Sequence, residues 1–228
     1  MTTIILTAFA AIAFSIWPFN REDADAQDFD QQEDSSNESE DALAQGIRLA
    51  IQGNIDRAAR RFKRAMDNDP NDAAAHYNLA LAFDIKGKFA EAKKHYMKSA
   101  ELDPASTDAG INMGIILLDE GEIESAIKEF KRATQLNPED FTAHFNLGFA
   151  YLRASLYREA VASFREAIKL DPKNPETRFN LAIAFRKSGC PDLAEIELRE
   201  FLSLAGKRFP MHSKYAESLL QGDDNNAS

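Results

Sequence analysis

The chain has 228 residues, of which 44% are hydrophobic, and a formal charge of −10, a composition that supports a packed core. The charge is concentrated: residues 21–45 hold ten acids against Arg21 alone, while from residue 46 onward 27 acids and 26 bases nearly cancel. The bulk charge of that longer part gives no electrostatic reason to expect nucleic acid as a partner, and a single cysteine, Cys190, excludes an intrachain disulfide and any multi-cysteine metal site.

The first element is an uncharged apolar run from Ile4 to Trp17, closed by Pro18. It falls short of the roughly 20 residues needed to span a bilayer upright. Two readings of residues 1–20 are favoured over a third, a buried helix of a soluble fold, because an acidic spacer separates the segment from anything it could pack on. One is a signal peptide, with Ala24-Asp25-Ala26 as a small-x-small cleavage site. The other is an uncleaved membrane anchor with Trp17 and Phe19 at the interface. Either places the protein outside the cytoplasm (periplasmic or secreted) or at a membrane. Residues 21–40 are rich in Asp, Glu, Gln, Ser and Asn. Such a stretch buries too little apolar surface to offset its ordering entropy, so a disordered linker reaching roughly 25 Å is expected.

From about residue 41 a period takes over. Pro70, Pro104, Pro138 and Pro172 are spaced by 34 residues each time. In the same register fall Gly53, Gly87, Gly121, Ser155 and Gly189, and also Ala58, Ala92, Ala126, Ala160 and Ala194. Phe62, Tyr96, Phe130, Phe164 and Leu198 follow four residues after those alanines, and Gly46, Ala80, Gly114, Gly148 and Ala182 recur earlier in each copy. A small residue lets two helices approach, a large one fills the gap beside it, glycine ends a helix in the left-handed region, and proline sets the start of the next unit. This pattern, over about residues 39–206, resembles the tetratricopeptide repeat (TPR) family, a 34-residue helix-turn-helix unit. The resemblance implies an all-α, right-handed superhelical solenoid of about five repeats. Their approximate limits are 39–72, 73–106, 107–140, 141–174 and 175–206. The fourth position of each first helix departs from the family pattern, with Ala42, His76, Gly110, His144 and Arg178 where a large residue is common. Gln45 stands where a Leu is usual, and Gly206 replaces the fifth closing proline.

Beyond Gly206, the spacing of Phe209, Met211, Tyr215 and Leu219 predicts one more amphipathic helix over about 208–221, a cap for the last repeat, followed by a frayed tail at 222–228.

In a TPR array the first helices line the concave groove. At about 100° per residue, the sixth position lies nearly opposite the stripe that packs on the second helix, and the ninth and thirteenth lie beside it. The sixth position reads Asn78, Asn112, Asn146 and Asn180. A side-chain amide both donates and accepts, so such a row can hold the backbone of an extended peptide. It resembles the asparagine ladder of the TPR superhelix in O-linked N-acetylglucosamine transferase, although no transferase domain is present here. The ninth position reads Ile47, Leu81, Ile115, Phe149 and Ile183, an apolar wall with Leu81, Ile115, Phe149 and Ile183 as candidate contacts. The thirteenth changes from Ile51 and Ile85 through Asp119 to Arg153 and Lys187, which suits an acidic stretch or a carboxylate at that end.

Arg57, Arg60, Arg61, Lys63 and Arg64 crowd one helix, and a solvated face is the expected reading. His76 and His144 are expected at the edge of the core, His95 and His212 as isolated side chains. No phosphate loop, nucleophile elbow or metal motif is present. The expected function is a non-catalytic adaptor without cofactor, metal or small-molecule substrate, taking a protein or peptide in the groove, with a membrane as partner if the N-terminal segment stays uncleaved. The alternative is a structural factor that self-associates or stabilises a membrane complex.

Overall fold

A computed structural model describes residues 42–221. The assigned apolar segment, the acidic linker and the tail at 222–228 lie outside the described residues. Among the described residues there are eleven helices and no strand.

The chain divides after Leu102 into two compact units. The first holds α1 (Ala42–Ile51), α2 (Ile55–Asn68), α3 (Ala73–Ile85) and α4 (Phe89–Leu102). The second holds α5 (Asp108–Asp119), α6 (Ile123–Leu136), α7 (Phe141–Arg153), α8 (Tyr157–Leu170), α9 (Pro175–Lys187), α10 (Pro191–Ala205) and α11 (Pro210–Leu220). In each unit odd and even helices pair as antiparallel hairpins.

The turn inside each hairpin is the same Schellman closure. At α1 the Gly53 amide donates to Ala50 O at 2.9 Å and the Asn54 amide to Leu49 O at 2.9 Å, satisfying carbonyls that a helix end leaves open. The residue at the bend takes positive φ, from 70° to 85° at the four glycines and 60° at Ser155. Ser155 therefore occupies a backbone region that disfavours a side chain.

The first four hairpins are each locked by a ring seated on a small residue, and Leu198 takes the place of the ring in the fifth. A Cβ added at Gly46, Gly114 or Gly148 would lie 2.4–2.7 Å from the ring of Phe62, Phe130 or Phe164. The rings of Phe130 and Phe164 are fully buried, and so are Ala126 and Ala160 beneath them. Helix starts are fixed by side-chain caps: Asp72 accepts from the amides of Ala74 and Ala75, Asp140 from Ala143 and Asn174 from Thr177.

The unusual fourth position acquires a reason. His76 Nε2 lies 3.1 Å from Pro70 O, His144 Nε2 lies 3.0 Å from Pro138 O, and Arg178 Nη2 donates to Pro172 O at 3.0 Å. Each polar side chain reaches back six residues to the carbonyl of the repeating proline. Gly110 has no side chain to do this. There Arg132, from α6, donates to Pro104 O at 3.3 Å, and its guanidinium fills the space a Cβ on Gly110 would enter. The third and fifth repeats thus build one arrangement by two routes. Arg132 pairs with Glu129, and Arg178 pairs with Glu197, the residue equivalent to Glu129 two repeats on.

At the far end, α11 buries Ala216 and Leu219. Tyr215 and His212 lie against Phe179, the latter edge-on with ring centres 4.8 Å apart. His212 is therefore an aromatic packing partner rather than an isolated side chain. His95 is likewise not isolated: its Nδ1 lies 3.1 Å from Nδ1 of His76. The sequence reading missed both because each contact joins different helices, and the helical period orders residues only within one.

Candidate peptide-binding groove

In the first unit α1 and α3 flank a shallow cleft floored by α2. Its walls are Ile47, Ala50 and Ile51 from α1 and Leu81, Ala82 and Ile85 from α3; Ile55, Ala58 and Phe62 form the floor. Asn78 is the one polar residue among the ten that line it. Aliphatic side chains meet here because positions nine and thirteen, one turn apart, fall on one face of each first helix.

Leu81 and Asn78 are thus brought together. The groove residues not singled out from the sequence are Ala50, Ala82 and the floor. The signal for the alanines is their position one residue before Ile51 and three before Ile85. Nothing in the period of the first helix marks Ile55, which is carried by α2.

The asparagine row is not a set of free amides. Asn78 is buried at 4% exposure and its Nδ2 donates to Ala74 O at 2.8 Å; Asn146 donates likewise to Thr142 O at 2.9 Å. Each bond uses one amide proton and leaves the second proton and the side-chain oxygen. Asn180 is buried, while Asn112 and Asn146 are half-buried.

In the second unit the apolar wall is graded. Ile115 and Ile183 are partly buried and pack against the core, whereas Phe149 reaches 36% exposure. Arg153 and Lys187 end α7 and α9 as exposed cations. These residues share the register of the first unit's cleft but exchange isoleucine for charge at position thirteen.

Among the described residues, no group of three or more His, Cys, Asp or Glu side chains could hold a metal ion, and no helix is long and apolar enough to cross a membrane. Cys190 is exposed at the start of α10.

Helix hairpins in one sequence register, with aliphatic and amide side chains on their first helices, define a helical repeat scaffold. The family comparisons specify it further: residues 114–155 and 157–189 match the TPR repeat family and residues 43–107 the tetratricopeptide repeat family. The chain belongs to the tetratricopeptide repeat family, an all-α superhelical repeat fold. No curated protein sequence matches it. Among solved structures, a MamA protein shares 22% identity with a TM-score of 0.66, over 75% of this chain and 93% of that one. YrrB, described as a TPR protein with an unusual peptide-binding site, shares 20% identity with a TM-score of 0.66, over 76% and 90%. PilF of Pseudomonas aeruginosa shares 22% identity with a TM-score of 0.68, over 80% and 83%. At these identities the likeness is one of fold.

Proposed function

We propose that this chain is a non-catalytic adaptor that binds a peptide or a partner's segment across the faces of its first helices. The observation that carries the reading is the aliphatic cleft of the first unit with Asn78 at its edge. Open apolar surface of this kind marks an interaction site. The peptide-binding site named for YrrB fits the same role.

A peptide library passed over the full chain is the direct test. Retained peptides should carry bulky aliphatic anchors, and Leu81→Asp should abolish retention while helix content by circular dichroism is unchanged. Retention that survives Leu81→Asp would place the ligand elsewhere. The amide row has its own test. Asn112→Ala with Asn146→Ala is expected to weaken a selected peptide about tenfold, from two lost hydrogen bonds of roughly 0.5–1.5 kcal/mol each. Alanine is the better helix former, so stability should hardly change. A stable double variant with unchanged affinity would remove the amides from the site.

The Ile4–Trp17 segment supports export or tethering as part of this proposal. Trp17 is the only tryptophan, so cleavage after Ala26 leaves a mature protein without tryptophan fluorescence. Intact mass of the native protein decides between the two routes: loss of residues 1–26 means processing, and a full-length, detergent-requiring product means an anchor. A full-length product soluble without detergent would reject both.

A further inference from the structure

The second repeat differs from the others where its two helices meet. At the register that holds Glu129 in the third repeat and Glu197 in the fifth, it carries His95. Opposite stands His76, only 7% exposed, and the two Nδ1 atoms are 3.1 Å apart. The ring centres are 5.4 Å apart, which exceeds the Nδ1–Nδ1 distance by two ring radii. The rings therefore meet head-on along one line. A chelated ion would need the two lone pairs to converge on a point to one side, so this is the geometry of an N–H···N bond.

The proton can be placed. Pro70 O only accepts, so His76 Nε2, 3.1 Å away, carries a hydrogen. The Nδ1 of neutral His76 is then a lone pair, and the hydrogen between the rings belongs to His95 Nδ1. The free lone pair of His95 is on Nε2. One added proton binds there and keeps the bond, now charge-assisted. A second must bind His76 Nδ1, the acceptor itself, and sets two cationic N–H groups against each other.

We infer that His76 and His95 form a one-proton latch between α3 and α4 that holds the second repeat closed near neutral pH and releases it in acid. Among the described residues, neither ring is ion-paired to a carboxylate that could support a second charge. Lys94 on α4 bears on His95 with a like charge, and Lys88 in the intervening turn sits over the Phe83 ring that stacks on His95. On α3, Asp84 accepts from the Tyr96 hydroxyl, and Asp72 at its start accepts from the Ala74 amide. Burial, then the His76 and Lys94 charges, holds the His95 pKa below the ordinary imidazole value. The sign follows. Two imidazoles of the unfolded chain take up two protons as pH falls through about 6.5, while the closed latch takes one. Stability is complete above that range and is lost below it.

Thermal unfolding of the full chain tests the latch. His95→Asn keeps a donor for His76 Nδ1 but removes one of the two titrating rings. Between pH 7.5 and 5 the native chain is expected to lose about 2–4 °C more in unfolding midpoint than His95→Asn. Parallel losses would overturn the latch. Ring-nitrogen NMR of the native chain reads it without a substitution. The hydrogen between the two Nδ1 atoms should persist through the first proton uptake of the pair, which takes its two protons in separated steps. A single shared step near the ordinary imidazole value, with both rings protonating together, would also overturn it.

Discussion

Gly148→Leu is expected to destabilise the chain by about 3 kcal/mol or more, because overpacking a filled core with no room to relax lies at the upper end of such penalties. The first side-chain carbon alone would stand 2.7 Å from two atoms of the Phe164 ring. That ring is fully buried and rests on Ala160, which is buried too, so it cannot swing aside. The hairpin of α7 and α8 must splay instead. In a repeat array each unit is supported by its neighbours, so the expected readout is an earlier and less cooperative chemical unfolding curve. An unchanged midpoint would mean that the α7–α8 contact is not close-packed.

The complementary change has a comparable cost and a more specific signature. Phe130→Ala empties the site over Gly114 and is expected to cost about 3–5 kcal/mol, the usual toll for deleting a fully buried aromatic ring. Gly114→Leu alone should be as damaging as its counterpart in the next repeat, since its Cβ would meet the Phe130 ring at 2.7 Å. Combined, the two changes place an aliphatic side chain where the ring was. The double variant should be clearly more stable than the sum of the single losses predicts, a coupling of about 1–3 kcal/mol between contacting residues. Denaturant titration of the four proteins measures it, and simple additivity would show that glycine and ring do not share the space.

The helix pairs were legible because proline, glycine and alanine punctuate the chain every 34 residues for steric reasons that act locally. Gly53, Gly87, Gly121 and Gly189 take the positive φ that the pattern requires of them, and Ser155 follows by position rather than by chemistry. Helical phase likewise placed Leu81 beside Asn78 on α3. The same phase could not say how far each asparagine is buried, because Asn78 and Asn180 are covered by packing between helices, which no single-helix wheel contains. Nor could it pair His76 with His95. A residue's neighbour across a hairpin depends on the tilt of the two helices. The one available hint was the variation at His95, Glu129, Ser163 and Glu197, three chemistries at one register.

The closure of the proline carbonyls bears on how such an array can be rearranged. In the second, fourth and fifth repeats the closing group travels with the first helix, as His76, His144 or Arg178. In the third it belongs to α6, as Arg132. A shuffled protein that inherited α5 from this chain and a second helix from another repeat would carry Gly110 without its arginine, leaving the Pro104 carbonyl open. The reverse graft would bring Arg132 against a fourth-position side chain already in place. Recombination between repeats of this protein is therefore neutral only when cut points fall between hairpins and not within them, and the third repeat is heritable as a whole hairpin or not at all.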